Sequence, residues 1–255
     1  MRARSHLNVV RSDESYAEIL ANWDERFYSK FSDALRPDRS GARVLDVGCG
    51  VGQVVARLTA AGLEAHGVDV AEPNIAKARQ FSDRCRLYDG RQLPYPDNYF
   101  AAVGALNVLE HVEAPEDFIR ELVRVTEPGG RIVVSSPNFY RVLGFRDYHP
   151  RMRGLAVKWQ NWKRLREKLL QMKLDPASVR FDRMAPIVKE PFTPDDDAIV
   201  ATNPLEMKFF LERNECEVER VRCTDRYVAA PLDFLLNATP LRHFMFNAFV
   251  VARKK

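Results

Sequence analysis

Cysteine is scarce in this chain and badly placed for metal work. Cys49, Cys85, Cys216 and Cys223 form no C-x-x-C pair, which argues against a zinc site and leaves reduced thiols as the expectation. Long apolar runs are missing too: none approaches the ~20 residues of a bilayer-spanning helix, and the opening MRARSHLNVV lacks a signal peptide's apolar region. The expected compartment is therefore the cytoplasm. A net charge of +4 is too mild to imply nucleic acid by itself. No internal repeat is present. What is there is ordinary for a soluble enzyme: 255 residues, 46% hydrophobic and 29% charged, the size of one large domain with ample material for a core.

The stretch that organises the chain is Val44-Leu45-Asp46-Val47-Gly48-Cys49-Gly50-Val51-Gly52. Residues up to Val47 read as a buried parallel strand, apolar but for Asp46, entered from a turn at Ser40-Gly41. Alternate glycines then predict a loop whose backbone lies against a ligand. From Val51 the spacing of Val54, Val55, Leu58 and Ala61 predicts a helix stopped by Gly62. A strand, a Gly-rich turn and a helix start make a nucleotide-type site. A dinucleotide site spells G-x-G-x-x-G under a pyrophosphate, whereas here the spacing is G-x-G-x-G with Gln53 at the third position. Asp46 would repel a pyrophosphate and suits a ligand carrying ammonium or sulfonium charge. Cys49 in the loop is either a nucleophile or a small packing residue, and the packing reading is the expected one.

VLDVGCGVG closely resembles motif I of the class I S-adenosylmethionine (SAM)-dependent methyltransferases, and SAM carries both cationic groups. The chain is similar in particular to the type 11, bacterial small-molecule family. Other segments carry the likeness in order. The strand Glu64 to Val70 ends in Asp69, nearly at the separation from the glycine loop of a ribose-binding carboxylate. The alternative for Asp69 is a helix cap, which its distance from Pro73 disfavours. The run Asp89-Gly90-Arg91-Gln92-Leu93-Pro94-Tyr95-Pro96-Asp97-Asn98-Tyr99-Phe100 resembles the family's D-A-x-x-L-P-F-x-D-x-x-F-D segment, with Ala101 replacing the usual final Asp. The resemblance assigns Asp89 and the Gly90 N–H to adenine, the alternative for Asp89 being an ordinary turn residue. Asn107-Val108-Leu109-Glu110-His111-Val112 resembles x-x-L-E-H-V, and Glu127 to Val134 resembles L-K-P-G-G-x-L-x-x. The matched core runs from about Arg43 to Asn138. Cofactor-binding residues implied by the resemblance are Asp46, Gly48, Gly50, Asp69, Val70, Asp89, Gly90 and Asn107.

The implied fold is α/β: a doubly wound, seven-stranded, mostly parallel Rossmann-like sheet, with an insertion after strand five forming a lid. One domain spans residues 1–255, and 139–202 is a cap within it. An amphipathic helix is predicted from about Asp13 to Leu35, with Tyr16, Ile19, Leu20, Trp23, Phe27 and Phe31 on one face; Tyr16 touches the cofactor or, as the expected reading, packs in the core. Strands are predicted at Arg86–Tyr88, Phe100–Leu106, Arg131–Ser135, Cys216–Cys223 and Phe244–Ala252. Helices are predicted at Pro73–Gln80, from Pro115, around Trp159–Leu170 and at Leu205–Arg213. The last two strands fit an antiparallel hairpin that closes the sheet.

Methyl transfer from a sulfonium needs positioning and dry surroundings, and a base only where the acceptor starts protonated, as a hydroxyl does. His111 is the first candidate base, an imidazole being suited to the task near neutrality; a structural role for the Glu-His pair is the rival. Some relatives hold a divalent ion with E-x-x-E-H. Here Asn107 stands at the first acid position, so no metal is expected. His149 is a second candidate base or a surface-turn residue. The region from Phe139 to Thr202 is basic to about Lys173, and Arg146, Tyr148, His149 and Arg151 are the candidate substrate contacts, guanidinium forks matching phosphate or carboxylate. The expected reaction is SAM-dependent methyl transfer to a hydroxyl, or an amine, of an anionic small-molecule or glycan acceptor. Alternatives are an RNA or protein methyltransferase, though no RNA-binding module or N-P-P-Y sequence is present, and a non-catalytic SAM-binding protein. A dinucleotide oxidoreductase is disfavoured by Asp46 and Gln53.

Overall fold

Seven strands in the order β3-β2-β1-β4-β5-β7-β6 form one sheet. The computed structural model describes residues 25–144, 147–187, 195–224 and 229–255, with the side chains of 25–27 and 224 left aside. In chain order the main elements are α1 (Glu25–Leu35), β1 (Arg43–Val47), α2 (Gln53–Ala60), β2 (Glu64–Asp69), α3 (Glu72–Ala78), β3 (Cys85–Leu87), β4 (Phe100–Leu106), α4 (Pro115–Val125) and β5 (Thr126–Ser136). They continue with α5 (Leu155–Leu174), α6 (Pro204–Arg213), β6 (Cys216–Thr224), α7 (Ala230–Ala238) and β7 (Asn247–Lys254). β1 pairs in parallel with β2 and β4, β2 with β3, and β4 with β5, while β7 runs antiparallel to both β5 and β6. The doubly wound, mostly parallel sheet expected from the sequence is therefore what forms.

Strand alternation explains the two cores. Val44, Ala102, Val133, Phe249 and Val251 face a layer made by Phe31 and Leu35 of α1, Val54, Val55 and Leu58 of α2, and Ile75 and Ala78 of α3. Leu45, Val103, Ile132, Val134 and Val250 face the other layer, with Ile119 and Leu122 of α4 and Met207, Phe210 and Leu211 of α6. Successive strand residues point to opposite faces, and both faces are covered, so the strands read as nearly continuous apolar runs. Gly104 marks the closest approach of α1: a Cβ there would sit 2.6 Å from the ring of Phe31.

Boundaries differ from expectation in instructive places. The chain from Asp13 to Trp23, Tyr16 included, lies outside the described residues, and the described helix begins at Glu25. β5 starts at Thr126, opposite Phe100, then bulges through Glu127-Pro128-Gly129-Gly130 before pairing resumes at Arg131. β7 begins at Asn247, later than Phe244, because Phe246 takes a positive φ of 39° and turns the chain into the strand. The last two strands are antiparallel but are no tight hairpin: α7 and a 3-10 turn at Pro240–His243 stand between them.

The segment between β5 and α6 packs a small core of its own, in which Phe139, Tyr140, Met152, Leu165, Met184, Ala198 and Ala201 are buried together. Asn161 of α5 fastens it by donating to the carbonyls of Phe139, Arg141 and Arg151. Asn203 caps α6 by accepting from Leu205 N and Glu206 N.

Candidate active site

The turn after β1 folds over the end of β2, where Gly48 N and Cys49 N both donate to Val68 O, at 2.8 and 3.0 Å. Gly48 has φ 72°, and a Cβ there would lie 2.3 Å from Val108 Cγ2, so a side chain would hold the turn off the segment that follows β4. Cys49 is buried beside Cys85, which with burial pushes its thiol up, and it packs under the turn.

Asp46 is buried, and its Oδ1 has no hydrogen-bond partner among the described residues. Burial, then Cys85 and Asp69, pushes its pKa well above the carboxylate range. A buried carboxylate in that state is stabilised by a cation brought against it. Tyr28 of α1 comes close enough that burial and Asp46 push its phenol up to about 12. The amphipathic pattern put Tyr28 on no special list, because the site is assembled from elements distant in sequence.

Asp69 is more engaged than its sequence position suggested. Its Oδ2 accepts from Gly50 N at 2.9 Å, and its Oδ1 accepts from Ala71 N at 2.9 Å and from Asn74 Nδ2 at 3.1 Å. It thus ties the glycine turn to the start of α3, although Pro73 follows too late for a standard cap. Burial raises its pKa against the pull of these donors and of the Val70 N–H. Asn74, buried and bonded to Asp69, is a residue the sequence reading missed.

Beside it, Val70 is exposed, and a Cβ on Gly90 would come within 3.3 Å of Val70 Cγ1, so the two form one apolar wall. Asp89 is exposed and accepts from Arg91 N and Gln92 N, at 2.9 and 3.1 Å, which draws its pKa down. It therefore makes the turn bonds of the plainer reading while remaining open to a ligand. Asn107, at φ 53°, donates its backbone N–H to Ser135 O, and its Oδ1 lacks a partner among the described residues.

Past β4, the 3-10 turn Leu109–His111 carries the Glu-His pair. Glu110 is fully buried; its Oε2 accepts from Ser136 Oγ at 2.6 Å, and its carbonyl accepts from Ile199 N and Val200 N. Burial raises its pKa to about 7, against the opposing pull of His111. His111 stands 3.8 Å from Glu110 and 3.7 Å from Asp197. Burial pulls the imidazole down, but Glu110, Asp197 and Asp195 outweigh it, and its pKa lies above the usual value. Tyr148 donates to Asp195 Oδ2 at 2.6 Å, so an insertion residue does reach this cluster. Asp195 and Asp197 were not foreseen; only folding brings them to His111. Glu110, His111 and Asp195 present ligand atoms within 4.8 Å of one another and could hold a divalent cation, a set the sequence reading, judging from Asn107 alone, did not consider.

The other expected acceptor contacts are dispersed. Arg146 lies outside the described residues. His149 is interior, its ring edge-on to Phe139 at 5.0 Å and its Nδ1 accepting from Arg151 N, which makes it a packed turn residue in this structure. Arg141 is buried, donating to Asn247 Oδ1 at 2.9 Å. Arg153 donates to the carbonyls of Asp147 and Tyr148, and Lys158 pairs with Asp147. Arg151 is half-buried, with its carbonyl held by Asn161.

Comparison with known proteins meets this geometry at the same residues. The profile of the family described as "Methyltransferase domain" matches residues 45–134, from β1 through most of β5. Over residues 45–134 the chain is similar to that methyltransferase-domain family. The 27-O-demethylrifamycin SV methyltransferase of Amycolatopsis mediterranei is 36% identical over 142 residues, covering 48% of this chain and 52% of that protein. Norajmaline N-methyltransferase of Rauvolfia serpentina is 32% identical over 137 residues, covering 50% and 46% respectively. The chain thus spans about half the length of the curated relatives it matches. A SAM-dependent methyltransferase structure from Aquifex aeolicus shares the fold, with TM-score 0.55 at 15% identity over 96% of this chain and all of that one. The methyltransferase domain's cofactor is SAM, and the residues present fit it. The orphaned oxygens of Asp46 and Asn107 and the Asp69 carboxylate converge on one glycine turn, with the Val70–Gly90 wall adjoining. No helix among the described residues is long and apolar enough to cross a membrane.

Proposed function

We propose that the protein transfers a methyl group from SAM to a hydroxyl, or an amine, of a small-molecule or glycan acceptor that carries negative charge. The observation that carries the cofactor half is Asp46 Oδ1, a buried carboxyl oxygen with no partner among the described residues, beside a glycine turn. When bound, SAM supplies an electrophilic methyl on a leaving group that needs no proton. Asp46, Gly48, Gly50 and Asn107 hold its amino-acid end, Asp69 and Val70 the ribose side, and Asp89 and Gly90 the adenine. His111 takes the proton of an acceptor hydroxyl, and the carboxylates of Glu110 and Asp197 beside it stabilise the imidazolium that results. Residues 139–202 cap the acceptor side, with Asp197 beside His111 as their contact with it, Tyr148 holding Asp195 nearby, and Arg151 as the cation offered to the acceptor. The relatives named above methylate, by their names, oxygen in one case and nitrogen in the other, so the atom is for experiment to decide.

The test incubates the protein with SAM and a panel of phosphorylated sugars, glycans and acidic aromatic metabolites, followed by mass spectrometry. Gain of one methyl by a single acceptor, with the demethylated cofactor formed in equal amount, is expected. Binding of SAM with no transfer to any acceptor would favour the non-catalytic reading, and tight binding of NADH instead would overturn the cofactor assignment. Turnover that survives a chelator supports the His111 base; turnover abolished by chelation and restored by a divalent cation would give the Glu110–His111–Asp195 set to a metal.

A further inference from the structure

Helix α5 has two faces that are not polar, and the domain covers only one of them. Asn161 and Leu165 are buried against the insertion's own core, and Lys168 on the same side is held by Asp182 and Glu206, at 2.7 and 2.8 Å. At 3.6 residues per turn, Leu155, Trp159, Trp162, Lys163, Arg166, Leu169, Leu170, Lys173 and Leu174 fall in a separate arc of about 140°. Most of that arc faces solvent, Trp162 being half-buried: Leu155 is 88% exposed, Trp159 56%, Leu170 57% and Leu174 75%. Its polar members are all basic. The helix's one acid, Glu167, sits at the border with Gln160, Arg164 and Gln171. The two indoles stack at 5.0 Å, with Lys163 Nζ 5.4 Å from the Trp159 ring and Arg166 Cζ 4.7 Å from the Trp162 ring.

We propose that this face of α5 docks the protein on an anionic phospholipid surface, lying in the plane of the headgroups. Three features select that occupant. Tryptophan and leucine interleaved with lysine and arginine match an interface that is apolar below and anionic above, since long basic side chains reach up to phosphates while their stems stay with the apolar residues. At ~30 Å the helix is long enough to lie along a bilayer surface, and its basic residues and low overall hydropathy make it unsuited to insertion across one. A second copy of the chain would bring Lys163, Arg166 and Lys173 against themselves, so like charges disfavour self-pairing, whereas each basic residue gains from anionic lipid. A second exposed apolar group, on α7, is linked to the helix through buried and half-buried residues. Lys158 donates to Gly144 O, Gly144 lies against Met245, and Met245 packs with Leu236 of α7, whose Phe234 and Leu235 are 75% and 55% exposed. The inference goes beyond the methyl-transfer reading and does not depend on it.

The experiment is partition of the purified protein onto vesicles of phosphatidylcholine alone and of phosphatidylcholine with about one third phosphatidylglycerol, the anionic fraction supplying the surface potential. Partition onto the anionic vesicles only, weakened by salt, is expected. In a Trp23→Phe background the emission of Trp159 and Trp162 should shift to the blue on binding. Leu170→Glu and the triple variant Lys163→Glu, Arg166→Glu, Lys173→Glu should each reduce partition by at least about tenfold. These side chains are exposed, so melting temperature and SAM binding should be unchanged, separating this outcome from any failure of the cofactor reading. Absence of partition by the wild-type protein overturns the proposal without recourse to variants. So does partition that ignores both variants, indole emission already blue and insensitive to vesicles, or a dimer in sedimentation velocity that Leu170→Glu dissolves.

Discussion

Asp46 and Asp69 are both buried carboxylates raised in pKa, yet their surroundings give them different work. Asp69 accepts from Gly50 N, Ala71 N and Asn74 Nδ2, whereas one oxygen of Asp46 has no partner among the described residues. Burial, then Cys85 and Asp69, hold the Asp46 pKa well above its ordinary value, so the ligand-free site keeps a proton to higher pH than a free aspartate does. A cationic ligand favours the ionised form, so SAM binding should release that proton and tighten as pH rises. Calorimetry near pH 7 in buffers of differing ionisation enthalpy should show a buffer-dependent heat, and Asp46→Asn should abolish it. Equal heats in all buffers would mean that Asp46 is already ionised. For Asp69→Ala, loss of the ribose contacts should weaken SAM binding by about 1.5–3 kcal/mol, roughly ten- to a hundredfold. The same change strands Gly50 N, Ala71 N and Asn74, so the ligand-free melting temperature should fall as well. Asn74→Ala should reproduce the stability loss with a smaller effect on SAM. A melting temperature untouched by Asp69→Ala would remove the structural half of that argument.

At the scale of elements, what was legible in the chain was whatever neighbouring residues decide. The strand Phe100–Leu106 was read to the residue because its apolar run is bounded by turn chemistry on both sides. Asn203-Pro204 announced α6 for the same reason, a side-chain cap followed by a proline that needs no donor. α7 gave no such warning: Ala230–Ala238 is short and largely exposed, with only Leu236 buried, so no one-sided apolar pattern marks it. The proposed cofactor positions fall in short local units, Asp46 to Gly50, Asp69-Val70 and Asp89-Gly90, with Asn107 apart, so each is marked by its own neighbours. The surroundings of His111 were not, since Asp195 and Asp197 arrive from more than eighty residues away along the chain. Those carboxylates alter what His111 can do. A base must be unprotonated, so with its pKa held above the usual value kcat/KM on a hydroxyl acceptor should rise with pH through that raised value. His111→Ala should lower turnover about 10²–10⁴-fold while SAM affinity stays near normal. Glu110→Gln removes a carboxylate that holds the imidazole up, so the rising limb should move to lower pH. A purely structural Glu110 would leave the limb where it is.

Across the whole molecule, buried acids set how stability responds to pH. Glu110 and Glu206 are both inside the fold, and burial lifts each to about 7 from an ordinary 4.5. A carboxyl whose folded pKa is raised keeps a proton that the unfolded chain has lost, so its contribution is full below the unfolded value and disappears as pH climbs to the folded one. His111, also raised, loses its contribution in the same direction. The depressed carboxylates Asp89, Asp182 and Glu121 contribute in full above about pH 4–5 and lose that contribution as pH falls toward their lowered folded values, so they add no slope near neutrality. Buried His66 and half-buried His243 are lowered and oppose the trend, since they charge more readily in the unfolded chain at acid pH. Single variants therefore isolate the effect better than the wild-type curve does. Glu206 is the cleaner choice, because it pairs with Lys168 at the start of α6 and belongs to no proposed ligand contact. Gln at that position imitates the protonated acid at every pH. Glu206→Gln should then lose less melting temperature than the wild type between pH 5.5 and pH 8, the difference corresponding to about 1–3 kcal/mol after allowance for the Lys168 pair. Parallel curves for the two proteins would show that Lys168 already keeps Glu206 ionised throughout, and would assign the pair to an ordinary buried salt bridge.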